Sequence, residues 1–108
     1  MPAGGPAVRG YVAVLTIHLH FPLAGSLKAR RKEVAPVKAQ LASRFGASVA
    51  EVGHREQWQR CTLLAALTAG DTARLDTAAD AVEGWLLGRF PDGVRMERRL
   101  MSLEDMSD

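Results

Sequence analysis

The sequence predicts an α+β sandwich, and three observations carry that expectation. Apolar side chains alternate with period two along Gly10–Phe21 and again along Gln59–Ala69, as in half-buried strands. They recur at helical spacing as Leu27, Val34, Val37, Leu41 and Phe45, and later as Leu75, Ala78, Ala79, Val82 and Leu86. A further strand segment follows each helix, at Ala47–Gly53 and at Val94–Leu103. The order βαββαβ is the split βαβ, ferredoxin-like arrangement. Right-handed crossovers leave a gap between strands one and two that strand three fills. The antiparallel four-stranded sheet is therefore expected in order 4-1-3-2, with both helices on one face.

Each element has its own warrant. In the first strand Tyr11, Ala13, Leu15, Ile17, Leu19 and Phe21 share one face, and Val12, Val14, Thr16, His18 and His20 the other. Apolar on one side and half-apolar on the other, it belongs in the middle of the sheet. Pro22 ends the ladder and Gly25 helps the chain turn. Ser26 is a good N-cap, and Gly46 is the residue just past a nineteen-residue helix. Pro36 sits inside that helix and removes the bond to the carbonyl of Lys32, yet the apolar stripe runs through it. Strand two, with Glu51 in its middle, reads as an edge, and so does the charged strand four. Asp71 caps the second helix, whose wet side carries Asp76, Asp80 and Glu83, the first two read as solubilising charge, and Pro91-Asp92-Gly93 turns the chain. Residues 10–103 make one domain, preceded by a disordered leader over 1–9 and followed by an acidic tail over 104–108.

Composition narrows the class. Hydrophobic residues make up 47% and aromatics 6% of 108 residues, so the core is built of Val, Leu and Ala rather than stacked rings. No apolar run approaches the roughly 20 residues of a membrane helix, and no membrane partner is expected. The single cysteine, Cys61, cannot form an internal disulfide and suits a reducing cytoplasm. The net charge is only +2, but it is unevenly spread. Residues 1–46 hold seven Lys/Arg against one acid, Glu33, whereas residues 47–108 hold seven Arg against eleven acids. A one-sided field of that kind favours anionic partners.

The topology gathers candidate residues at one end. Strands one and two run parallel, so His18, His20, the start of helix one, the His54–Trp58 loop and the start of strand three converge there. Lys28, Arg30, Arg31 and Lys32 occupy the first turns of a helix capped by Ser26. Cations there oppose the helix dipole by several tenths of a kcal/mol each, which suggests that they contact something, with RNA phosphate the natural candidate. Trp58 with Arg60 suits base stacking and a phosphate grip. Equally, Trp58 plugs the rim of the core and Arg60 pairs with Glu51 or Glu56. His18 and His20 project from the same face with His54 nearby, a weak metal pattern that structural histidines also satisfy. The sequence shows no catalytic constellation: no paired carboxylates, no nucleophile elbow, no phosphate-cradling glycine loop, and Cys61 lies inside a strand. No enzymatic activity and no cofactor is expected.

The segments Leu15-Thr16-Ile17-His18-Leu19 with Ser26-Leu27-Lys28-Ala29-Arg30-Arg31, then Ser48-Val49-Ala50-Glu51-Val52 and Trp58-Gln59-Arg60-Cys61, resemble the bacterial YlxP-like family, a domain of unknown function. The resemblance covers about residues 10–103. It implies a ferredoxin-like fold in a bacterial cytoplasmic protein and, through the translation-related genes among which members are often encoded, RNA or ribosomal partners. Departures are the Gly/Pro leader, Pro36, and Gly53 where an acid or amide is more typical. The family carries no established catalytic residues to transfer. Two functions follow as the main expectations, with a third in which His18, His20 and His54 serve an enzyme or small-anion binder. One is an RNA- or ribosome-associated binding module that uses Ser26, Lys28, Arg30, Arg31 and Lys32 with His18, His20, His54, Trp58 and Arg60. The other is a homodimeric adaptor associating through the open sheet face, whose apolar Val12, Val14, Leu64 and Ala66 need a cover.

Overall fold

The computed structural model describes residues 8–54 and 57–106. It contains β1 (Tyr11–His20), α1 (Leu27–Phe45), β2 (Ser48–Gly53), β3 (Arg60–Ala69), α2 (Thr72–Arg89), β4 (Val94–Ser102) and a short α3 (Leu103–Met106). The sheet order is β2-β3-β1-β4, which is the expected 4-1-3-2 read from its other edge, and every neighbouring pair is antiparallel. The leader falls mostly on residues 1–7, outside the described residues, as do Arg55, Glu56 and residues 107–108. Where an acidic tail was expected, Leu103–Met106 forms a helical turn. The Ser102 and Asp105 side chains and main-chain N–H groups exchange hydrogen bonds of 3.0 and 3.1 Å, and Leu103 N–H donates to the Gly10 carbonyl.

Strand periodicity decides which side chains are buried. Ala13, Leu15, Ile17 and Leu19 of β1 and Cys61, Leu63, Ala65 and Leu67 of β3 all face the helices and are buried. From α1 come Val34, Val37 and Leu41, and from α2 Leu75, Ala79, Val82 and Leu86. Burying such side chains is worth about 1.5–3 kcal/mol each, which is why period-two and period-3.6 patterns specify this sandwich. The Ser26 hydroxyl accepts from Ala29 N–H at 3.0 Å, and Gly46 closes the helix at φ 67°, a left-handed conformation that glycine adopts without strain. Pro36 lies on the exposed side of α1, where water can serve the freed Lys32 carbonyl. α1 accordingly runs through it.

Two glycines shape the end of the sheet that matters below. His20 N–H donates to the Gly93 carbonyl at 2.8 Å, and a Cβ on Gly93 would lie 2.7 Å from the His20 oxygen. Only glycine lets β4 begin so close to the end of β1. At β2 a bulge between Glu51 and Gly53 leaves Val52 as the extra residue. Glu51 therefore faces the helices opposite Leu63, while Gly53 turns to the open face opposite Thr62. A Cβ at Gly53 would sit 3.2 Å from the Thr62 Cβ, which accounts for a glycine where a larger residue is typical. Among the described residues no helix is long and apolar enough to cross a membrane.

Candidate anion-binding site

The sequence places a capped, cation-rich helix start beside the end of β1, and the structure divides those cations. Lys28, Arg31 and Lys32 are exposed, but Arg30 is only 4% exposed. Expected to lead the phosphate contact, Arg30 instead lies on the buried stripe of α1 with Val34, Val37 and Leu41. Its guanidinium pairs with Glu51 of β2 and donates to the carbonyls of Arg60 at 3.1 Å and His54 at 3.2 Å. A buried cation needs this many acceptors, because desolvating it unpaired costs several kcal/mol. Arg30 is thus committed inside the fold, and Glu51 is committed with it rather than with Arg60.

What Arg30 holds is the edge of a cleft. His54 sits at φ 59°, and its carbonyl accepts from both Arg30 and Gln57 N–H. Phe21 N–H donates to the Gln59 carbonyl at 2.8 Å, tying the end of β1 to the approach to β3. Beyond these ties the open face carries a depression of about 370 Å³, walled by His18, His20, His54, Arg60, Thr62, Asp92 and Arg95 among others. The convergence expected from topology is therefore present for His18, His20, His54 and Arg60. Trp58, 51% exposed, borders an adjoining depression that Arg60 also lines. Ser26 is used as the helix cap.

Register explains the cleft. His20 lies opposite Arg60 on β3, and His18 lies opposite Arg95 on β4. Directly opposed side chains on one face have Cβ atoms about 4.5–5.5 Å apart. Two arginines therefore flank the two histidines of β1. His18 Nε2 lies 2.7 Å from Glu97 Oε1, and Thr62 Oγ1 lies 3.4 Å from His18 Nδ1. With Nε2–H given to Glu97, Nδ1 is left to accept from the Thr62 hydroxyl. The His18 hydrogen bond, helped by nearby Arg95, holds the Glu97 carboxyl below its ordinary value of 4.5. Burial pushes the Cys61 thiol up to about 11, with Glu51 adding to the effect, so the thiol is protonated at neutral pH and unsuited to nucleophilic attack. Among the described residues no group of three or more His, Cys, Asp or Glu is placed to hold a metal ion.

Arg95, Asp92 and Thr62 were not among the residues expected at this end. Their signal lay in the topology: β4 runs antiparallel to β1, so its first residues must reach the last residues of β1. Asp80, expected to be a solubilising charge, and Glu83, expected on the wet side of α2, instead fork Arg98 of β4 at 2.8 and 3.0 Å.

No curated protein sequence matches the chain. Its fold is similar to that of a solved structure, a "De novo designed protein Foldit4", at a TM-score of 0.55 and 8% identity, over 85% of this chain and 96% of the other. At that identity the likeness concerns the fold alone. A family model described as "Protein of unknown function (DUF503)" matches residues 12–97, from β1 into β4. The chain belongs to that family, DUF503.

Proposed function

We propose that this protein is a binding module for RNA, free or within a ribosomal subunit, and that it engages phosphate at the end of the sheet where β1 meets the start of α1. The observation that supports this most is that Lys28, Arg31 and Lys32 stay exposed on the helix whose Arg30 is pinned to the backbone of His54 and Arg60. The exposed cations oppose the helix dipole, and through Arg30 the same helix holds the backbone of His54 and Arg60, which with Arg95 line the cleft on the opposite, open face of the sheet. The resemblance to YlxP-like proteins, through Ser26-Leu27-Lys28-Ala29-Arg30-Arg31 and Trp58-Gln59-Arg60, supports the same partner and a cytoplasmic setting. The protein acts by binding and performs no reaction of its own.

The test is a salt-series titration with ribosomal subunits and with a mixed-sequence structured RNA. Wild type is compared with a Lys28→Glu, Arg31→Glu, Lys32→Glu variant, leaving Arg30 in place. Binding is expected to weaken steeply with salt, and the variant to lower the slope of log K against log salt by about 2. Failure of the wild type to bind either target near physiological salt sinks the proposal.

A second reading has its own observation. Val12, Val14, Leu64 and Ala66 form the centre of the sheet face opposite α1 and α2, with Leu64 36% exposed. A homodimer through this face, which neither α1 nor α2 covers, would shield them. Sedimentation should then give a mass that rises with concentration and collapses to the monomer in Leu64→Arg. A monomer throughout eliminates it.

A further inference from the structure

Resting on the RNA reading, we infer that the open-face cleft is a site for a terminal nucleotide phosphate, with the phosphate between Arg60 and Arg95 and the adjoining base on Trp58. The guanidiniums come from the two strands that flank β1, one beside His20 and one beside His18. Arg60 and Arg95 are both exposed and, among the described residues, neither is held in a close salt bridge, although Arg95 is near enough to Glu97 to lower its carboxyl. Glu97, the carboxylate nearest Arg95 along β4, is already bonded to His18. Both guanidiniums line one depression, and an anion seated there is attracted by each.

The form of the anion follows from the form of the site. A depression of about 370 Å³ falls in the roughly 300–1,000 Å³ range of small-ligand sites. A terminal phosphate carries about −1.5 to −2 charge and three free oxygens, which two guanidinium forks can share. An internal phosphodiester offers one charge and two such oxygens. Asp92, the carboxylate in the wall, accepts hydrogen bonds and repels bare anions, which suits a ligand that brings ribose hydroxyls with its phosphate. Arg60 lines both this cleft and the depression beside Trp58, so phosphate and base recognition adjoin. An aromatic platform of this kind stacks any base without sequence preference.

Fluorescence anisotropy on short single-stranded RNAs tests this. One probe carries a 5′-phosphate, one a 3′-phosphate and one hydroxyls at both ends, with free nucleoside monophosphate as competitor. An end-phosphorylated probe should bind at least about tenfold tighter than the hydroxyl probe. Arg95→Gln should remove that preference, and Trp58→Ala should weaken every probe. Arg60→Gln, whose main-chain carbonyl still accepts from Arg30, gives a second reading of the phosphate grip should Arg95→Gln melt early. Free monophosphate competing as well as the oligonucleotide supports the cleft and identifies its ligand as a mononucleotide. Equal affinity for phosphorylated and hydroxyl ends overturns the inference. If structured RNA still binds with a steep salt slope in that case, the RNA reading stands and only the terminal site falls. If that binding is absent too, both fall.

Discussion

Arg30 and Arg98 make a natural comparison, because each joins a helix to an edge strand in one half of the pseudo-repeat. In the β1–α1–β2 half the helix supplies the cation, Arg30, and the strand supplies Glu51. In the β3–α2–β4 half the strand supplies the cation, Arg98, and the helix supplies Asp80 and Glu83. The Arg30 side chain is 5% exposed and also bonds two main-chain carbonyls of the cleft, whereas that of Arg98 is 26% exposed and bonds only carboxylates. The first knot therefore holds the shape of a site, and the second fastens an edge. Burial, more than bond count, separates their energetic weight, since an exposed pair is screened while a buried one cannot lose a partner cheaply.

The sharpest way to break the comparison is Arg30→Met, which strands Glu51 and frees two carbonyls. It should cost about 3–5 kcal/mol in a denaturant melt. Adding Glu51→Leu should recover part of that loss, because a removed pair is cheaper than half a pair. No recovery would mean that the two carbonyl bonds outweigh the ion pair. Next comes alkaline stability. With Cys61 raised from 9.0 to about 11 in the fold, its contribution is complete below pH 9 and is lost as pH rises towards 11. The full difference is on the order of 2–3 kcal/mol. Replacing Cys61 by Ala should flatten that alkaline limb, seen in melts across the range. Arg98→Met, at a part-exposed fork, should cost only about 1 kcal/mol. A loss equal to that of Arg30→Met would erase the distinction drawn here. Smallest is the His18–Glu97 bond. The Glu97 carboxyl is held below 4.5, so its contribution is present above that value and fades as pH falls through the lowered one. Glu97→Gln should reduce the acid dependence of the melting temperature by lowering it slightly at pH 7 and leaving it unchanged at low pH.

Most of the architecture was legible because burial follows periodicity. Leu75, Ala79, Val82 and Leu86 were readable as the inner stripe of α2, and Ala13, Leu15 and Ile17 as the inner face of β1. The burial of Arg30 is legible too, in its position rather than in its charge. It stands three residues after Leu27 and four before Val34, on the apolar stripe, while Glu51 alternates inward with Ala47 and Val49. Charge type suggested solvent, and position specified burial; position prevailed because each ion found its partner inside. Gly53 followed from neither pattern, since its cause is Thr62 across a bulge, and bulges leave no periodic signal. Arg95 and Asp92 required pairing β4 against β1 residue by residue, and strand order alone does not supply that register.

The measurement that bears most directly on the account pairs a melt with an RNA titration on the Lys28→Glu, Arg31→Glu, Lys32→Glu variant. Acidic side chains near a helix N-terminus favour its dipole by a few tenths of a kcal/mol, felt most at position 28. The account predicts a variant as stable as wild type or slightly more so, with RNA binding at physiological salt lost. RNA binding unchanged in a folded variant, or lost only because the fold is lost, would contradict the view that these cations are kept for a phosphate partner.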